Sequence, residues 1–237
     1  MCGRYTLAHA EAAKAALERL GLKIAKEVSL PTRYNVAPTQ IMPVVTGGAD
    51  PALVALYWGH LAQFSPDAKP TLLINGRSEL AAEKRTFKQA VAEHRCVVPA
   101  DGFFEWLRTQ GGKVRVPYHI RRKDGRTFWI AGLHWPATDD QPAHYILLTT
   151  APNELMAQIH DRMPVIMDDA AAREWLAGGP LQPGRMSTLC ASYPAELMAA
   201  DRVDPLVNNA RNDRPECIVP VKHSSIDDQL PGLADHS

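Results

Sequence analysis

The chain has 237 residues and carries 26 Lys+Arg against 26 Asp+Glu, so its net charge is zero. That length suffices for one domain with a full core. With 46% hydrophobic and 22% charged residues the composition is that of a globular protein, which excludes the disordered and fibrous classes. No run approaches the ~20 apolar residues of a membrane span. A neutral chain has no global field to draw in a polyanion, so any such ligand would need a local arginine cluster.

The first residues, Met1-Cys2-Gly3-Arg4-Tyr5, hold the most reactive chemistry. If Met1 is removed, Cys2 presents an α-amine of ordinary pKa about 7.7–8.0 beside a thiol of about 8.5. Such a 1,2-aminothiol condenses with an aldehyde to an imine, which the thiol closes to a thiazolidine. It is equally suited to attack an amide as an N-terminal nucleophile. Against both stands the plain reading of a small apolar filler.

His9 to Leu20 is Ala-rich and predicts a helix capped by Gly21. Arg33 to Gln40 reads as an irregular loop, stiffened by Pro31 and Pro38. Ile41–Val45 and Leu53–Trp58 read as strands joined by a Gly47-Gly48 turn. His60 to Lys69 reads as a loop, and Thr71–Ile74 as a short strand delivering Asn75-Gly76-Arg77. That tripeptide is either a rigid site at a strand end or a simple Asn-Gly turn. Glu79 to His94 is helical in pattern and carries Lys84, Arg85 and Lys88.

Cys96 to Trp106 reads as strand, turn and strand, with Glu105 set among Phe103, Phe104 and Trp106. Aromatic neighbours would desolvate that carboxylate, raise its pKa and suit it to acid–base work. Strand alternation by itself would turn it to solvent. Val114–Ile120 and Thr127–His134 predict a hairpin around Lys123-Asp124-Gly125, its basic tip solvated. Tyr145–Thr150 is a buried strand and Asn153–Ile159 a short helix. His160 follows beside Asp161-Arg162, able to shuttle protons near neutral pH or simply to cap. Asp168–Ala177 and Ala195–Ala200 read as helices, Val207–Asp213 as a polar loop and Cys217–Val221 as a strand. The expected fold is one α+β domain over 1–222, with a curved, barrel-like mixed β core and peripheral helices. Residues 223–237 are expected to be a disordered tail.

Cys2, Cys96, Cys190 and Cys217 are scattered, without a CxxC pair or a secretory leader, which reads as reduced thiols in a cytoplasmic protein. Nine histidines include no HExxH, so neither metal nor cofactor is expected.

In order along the chain, Met1-Cys2-Gly3-Arg4-Tyr5, Arg33 to Pro38, Ile74 to Glu79, Pro99 to Trp106 and His160 to Pro164 closely resemble the SRAP family. Its members are SOS-response-associated peptidases, or abasic-site processing proteins. The resemblance implies covalent capture of abasic sites in single-stranded DNA during the damage response. The Cys2 amine would form an imine at the opened sugar's C1′ and the thiol would close a thiazolidine. By similarity Asn75 holds the N-terminus and sugar, Glu105 moves protons during imine formation, and His160 acts as acid–base in ring opening and crosslink reversal. Arg4, Arg77, Arg85, Arg162 and Thr149 match positions that contact flanking phosphates, which would make binding salt-sensitive. The implied protein is a cytoplasmic monomer, nucleoid-associated when bound to DNA.

Two departures stand out. Gly76 replaces the family's common Ala, adding backbone freedom beside Asn75 and Arg77. The loop His60 to Ser65 lacks the family's Pro and Trp, leaving Phe64 as its stacking candidate. A thiol peptidase acting on the Met1–Cys2 bond and a non-covalent single-strand binding module are the rival readings.

Overall fold

The computed structural model describes residues 2–22, 29–63, 65, 67–108, 115–182 and 184–225. The chain begins with β1 (Tyr5–Leu7), α1 (Ala10–Arg19), β2 (Arg33–Val36), β3 (Ile41–Thr46), β4 (Ala52–Trp58), β5 (His60–Ala62), β6 (Thr71–Leu73) and β7 (Asn75–Arg77). It continues through α2 (Ser78–Ala81), α3 (Arg85–Glu93), β8 (Arg95–Ala100), β9 (Gly102–Arg108), β10 (Arg115–Arg122), β11 (Phe128–Trp135) and β12 (His144–Thr150). Last come α4 (Glu154–Ala157), β13 (Met163–Pro164), β14 (Ile166–Met167), α5 (Asp169–Leu176), α6 (Arg185–Leu189), β15 (Met198–Val203) and β16 (Pro220–Ser225).

Strands β12, β4, β3, β8 and β11 hydrogen-bond in that order, and β11 pairs back onto β12. The ring is therefore a closed five-stranded barrel. Only its β12–β4 contact is parallel, so the barrel is mixed. A second, antiparallel sheet runs β16-β15-β10-β9-β1-β2. Asp101 alone separates β8 of the barrel from β9 of this sheet.

Successive residues of the barrel strands face opposite cores. Val44, Val98, Ile130 and Leu147 pack with Tyr5, Phe103 and Tyr118 of the second sheet. Val45, Val97, Ala131, Ile146 and Leu148 pack outward on Leu17, Phe87 and Trp175 of the helices. Burial on both faces explains why these strands read as continuous apolar runs rather than alternating ones. Helix α1 buries Ala13, Ala16 and Leu17 and gives way at Gly21, whose φ of +80° suits a residue without Cβ. Asp168 caps α5 by accepting from the Ala171 N–H.

Several local expectations are corrected. Residues 33–36 form β2, held by pairing to β1, and 60–62 form β5, paired to β6. The helix expected over 79–94 is two, because the chain leaves helical geometry at Lys84, which has a ψ of 126°. Strands β10 and β11 do not pair with each other: β10 joins β9 and β15, while β11 joins β8, β12 and β14. The turn at Lys123-Asp124-Gly125 thus crosses between sheets rather than closing a hairpin. The helix expected over Ala195–Ala200 is one 3-10 turn running into β15. Strand β16 follows a 3-10 turn at Pro215–Ile218 and continues to Ser225, while 226–237 of the expected tail lie outside the described residues.

Candidate active site

Strand β1 lies between β2 and β9, with Tyr5 opposite Phe103 and the Phe104 N–H donating to the Arg4 carbonyl at 3.0 Å. Cys2, just upstream, is thereby directed along β9 towards Glu105. Cys2 is fully buried, and its Sγ lies 3.7 Å from the Arg4 carbonyl. Burial pushes the thiol's pKa well up, and the nearby Glu105 charge adds to the rise. The thiol is therefore protonated at neutral pH.

Asn75 comes from the opposite side. Strand β7 runs parallel to β12, with Asn75 opposite Leu147 and Arg77 opposite Thr149. The Asn-Gly pair is thus extended strand rather than turn. Asn75 Nδ2 donates to the Cys2 carbonyl at 2.9 Å, while its Oδ1 is buried with no hydrogen-bond partner among the described residues. A buried acceptor left unpaired costs about 1–3 kcal/mol. Gly76 is not loose: its carbonyl accepts from Thr149 Oγ1, and a Cβ there would come within 3.3 Å of Ile146, Leu148 and Phe87.

Glu105 is 2% exposed, so the alternation that would have turned it to solvent does not do so. Both faces of β9 are covered from Gly102 to Glu105. Phe103 packs in the core beside the barrel, and Phe104 packs on Val203, Val207 and Cys217. Burial raises the Glu105 carboxyl to about 7, poised between acid and base. The Asp161 charge also pushes it upward, which places the loop after α4 close by.

His160 sits in that loop, its N–H donating to the Met156 carbonyl at 2.8 Å. Its Nδ1 accepts from the Arg162 N–H at 3.0 Å, which puts the ring proton on Nε2. Burial lowers the His160 pKa further, while Asp161 Oδ1, 2.9 Å from Nδ1, works against that. The neutral imidazole is the form at pH 7.

The expected phosphate contacts divide in two. Arg4 is tied into the fold: its guanidinium donates to Asn35 Oδ1 and the Val207 carbonyl at 2.9 Å and to the Asn208 carbonyl at 3.3 Å. Arg162 is held by both Glu79 carboxylate oxygens at 2.7 and 2.8 Å and by the Thr149 carbonyl at 2.6 Å. Thr149 is itself 1% exposed. Arg77 and Arg85 are exposed and make no hydrogen bond or ion pair with the described residues. Phe64 lies outside the described residues.

Two features escaped the sequence reading. A cavity of about 370 Å³ opens beside Gly3, lined by Arg4, Trp106, Arg115 and Asn208. Elsewhere, His60 and Trp135 stack at 4.4 Å beside buried His144 and line a groove with Arg85. Neither could be found in the sequence, because each joins residues far apart along the chain.

Beside a closed five-stranded barrel, the buried Cys2 thus lies against the Asn75 amide and within reach of the Glu105 charge. The profile of the family described as SOS response associated peptidase (SRAP) matches residues 1–210, and the chain belongs to that family. It is 36% identical over 224 residues to abasic site processing protein YoqW of Bacillus subtilis, spanning 92% of this chain and 99% of that one. It is 31% identical to abasic site processing protein YedK of Escherichia coli, covering 93% and 100% of the two chains. Among solved structures, a protein from Bacteroides thetaiotaomicron superposes with a TM-score of 0.72 at 21% identity, over 93% of this chain and all of that one. A phage-related protein from Bordetella bronchiseptica gives 0.65 at 26% identity, over 85% and 94%.

Proposed function

We propose that this protein captures abasic sites in single-stranded DNA by forming a covalent bond through Cys2. The observation that carries the reading is the convergence of Asn75 and Glu105 on Cys2, with a carboxyl of pKa about 7 beside the thiol. Once Met1 is removed, the Cys2 amine adds to the aldehyde carbon C1′ of the ring-opened sugar. Glu105 takes a proton from the nitrogen and returns one to the carbinolamine oxygen, which leaves as water. The thiol then adds across the C=N bond, its proton passing to nitrogen, and a thiazolidine closes. The net loss is one water.

Burial of the thiol favours this order of events. A thiol held protonated is a poor nucleophile until the imine is in place beside it. The amine therefore attacks first. Neutral His160 serves as the proton carrier at the sugar hydroxyl, in ring opening and in reversal. The phosphates flanking the lesion fall to the exposed Arg77 and Arg85, with Arg162 joining them if Glu79 yields it. The peptidase in the family's description fits this site less well for general substrates, because Cys2 is fully buried.

The test is a denaturing gel with intact mass on protein mixed with single-stranded DNA bearing one abasic site. The expected result is an adduct one water lighter than the sum of its parts, absent with Cys2→Ala and with undamaged DNA. No adduct from a chain that begins at Cys2 would overturn the reading. Turnover of an unrelated peptide by the wild type, lost in Cys2→Ala, would favour the peptidase instead.

A further inference from the structure

On the outward face of the hairpin next to Cys2, two arginines stand directly opposite each other. In the β9–β10 register Arg108 faces Arg115, two residues beyond the Trp106–Pro117 pair. Directly opposed residues on antiparallel strands share a face, with Cβ atoms about 4.5–5.5 Å apart, and like charges placed there repel. A carboxylate would normally relieve that repulsion. Among the described residues neither arginine has an ion pair or a hydrogen bond, and both side chains are exposed.

Their surroundings tie them to the reacting centre. Arg115 and Trp106 wall the cavity that reaches Gly3, the residue after Cys2. Arg4 adds a third guanidinium, 6.0 Å from the centre of the Trp106 ring. No carboxylate lines this cavity among the described residues. Glu105, on the same strand, points to the opposite face. Arg108 is also close enough that its charge helps hold His160 neutral. The result is a concentrated positive field at one mouth of an uncharged chain, next to the reacting cysteine.

We propose that Arg108 and Arg115 form a phosphate clamp for the DNA strand where it enters the Cys2 site. This rests on the proposed capture of single-stranded DNA and deepens it. A phosphodiester between the two guanidiniums relieves their repulsion and is gripped by forked donors. Arg4, already bonded to Asn35, Val207 and Asn208, contributes field rather than a free fork. The clamp stands apart from Arg77, which lies on β7, and Arg85, which opens α3. The strand would thus be held on both sides of the lesion.

The test is the salt dependence of binding to a fluorescein-labelled undamaged single strand, read by anisotropy. The proteins compared are wild type, Arg108→Ala, Arg115→Ala, the double alanine variant and the double Arg→Lys variant. For single strands each phosphate contact adds about 0.7 to the slope of log affinity against log salt. The slope should fall by about that amount in each single alanine variant and by twice as much in the double. The double lysine variant should keep it. Circular dichroism melts of all five show that any change is not loss of fold. If the wild type cross-links an abasic strand but all five slopes coincide, the clamp is overturned and the capture reading stands. If the wild type neither binds nor cross-links, the capture reading fails and the clamp falls with it.

Discussion

Asn75 holds Cys2 by one half of its amide only: Nδ2 donates to the Cys2 carbonyl at 2.9 Å, and Oδ1 is left buried and unpaired. In the proposed capture, that oxygen would accept from the freed α-amine or from a sugar hydroxyl. Asn75→Asp keeps the acceptor and loses the anchor; Asn75→Ala loses both. Single-turnover capture is expected to slow in both, and more in the alanine variant. Each lost hydrogen bond is worth about 1 kcal/mol, or roughly fivefold in rate. Equal rates in wild type and Asn75→Ala would remove Asn75 from the site.

Glu105 sets stability against chemistry. Its carboxyl is raised from 4.5 to about 7 by burial, so the native state holds a proton that the unfolded chain releases. That contribution to stability is complete below the unfolded pKa and is lost as pH rises through about 7. Glu105→Gln should therefore slow capture while raising the melting temperature, with the gain large at pH 8 and small at pH 4. The difference is on the order of 3 kcal/mol, from the size of the shift. A pH-independent gain would show that the charge is not what destabilises.

Arg162 and Glu79 neutralise each other through a two-pronged pair, Arg162 nearly buried and Glu79 half-exposed. Glu79 thus occupies the fork where a phosphate would sit. Glu79→Gln should tighten single-strand binding and steepen its salt dependence by about 0.7, the contribution of one contact. An unchanged slope would make Arg162 a structural residue, clasping the Thr149 carbonyl.

Arg4 is predicted to matter mainly for folding. Its three hydrogen bonds join β1 to the 207–208 segment and to Asn35. Arg4→Ala should cost about 2 kcal/mol, because three hydrogen bonds from a charged donor are lost and only the Val207 carbonyl keeps another donor, Asn35 Nδ2. Chemical denaturation measures this. A loss confined to DNA affinity, with stability intact, would return Arg4 to the phosphate contacts.

His160→Ala is expected to slow release from a preformed adduct more than capture. Release is followed by strand exchange onto a second labelled abasic oligonucleotide. An unaltered release rate would exclude the imidazole from the proton path.

The barrel strands were legible because burial on both faces left long apolar runs such as Cys96–Val98 and Tyr145–Leu148. Their partners were not. The turn at Lys123–Gly125 looks like a hairpin whether its arms pair or part, and only the packing of β10 on β9 decides it. Glu105 could not be oriented from alternation, which assumes one wet face where β9 has none between Gly102 and Glu105. The arginines illustrate the same limit. Arg4, Arg77, Arg85 and Arg162 are alike in sequence, yet two are tied down by carbonyls and a carboxylate far along the chain.

Strand β12 closes the barrel against β11 and β4, carries β7 with Asn75 along one edge, and receives β13 after His160 along the other. A strand with four neighbours cannot fray alone. Amide deuteration at Leu147 and Leu148 should proceed only through global opening, at the slowest rate in the molecule. Asn75, whose amide holds the Cys2 carbonyl, is therefore mounted on this strand through β7. In the proposed capture, adaptation to a curved or crowded DNA strand would fall to the long arginine side chains at the rim.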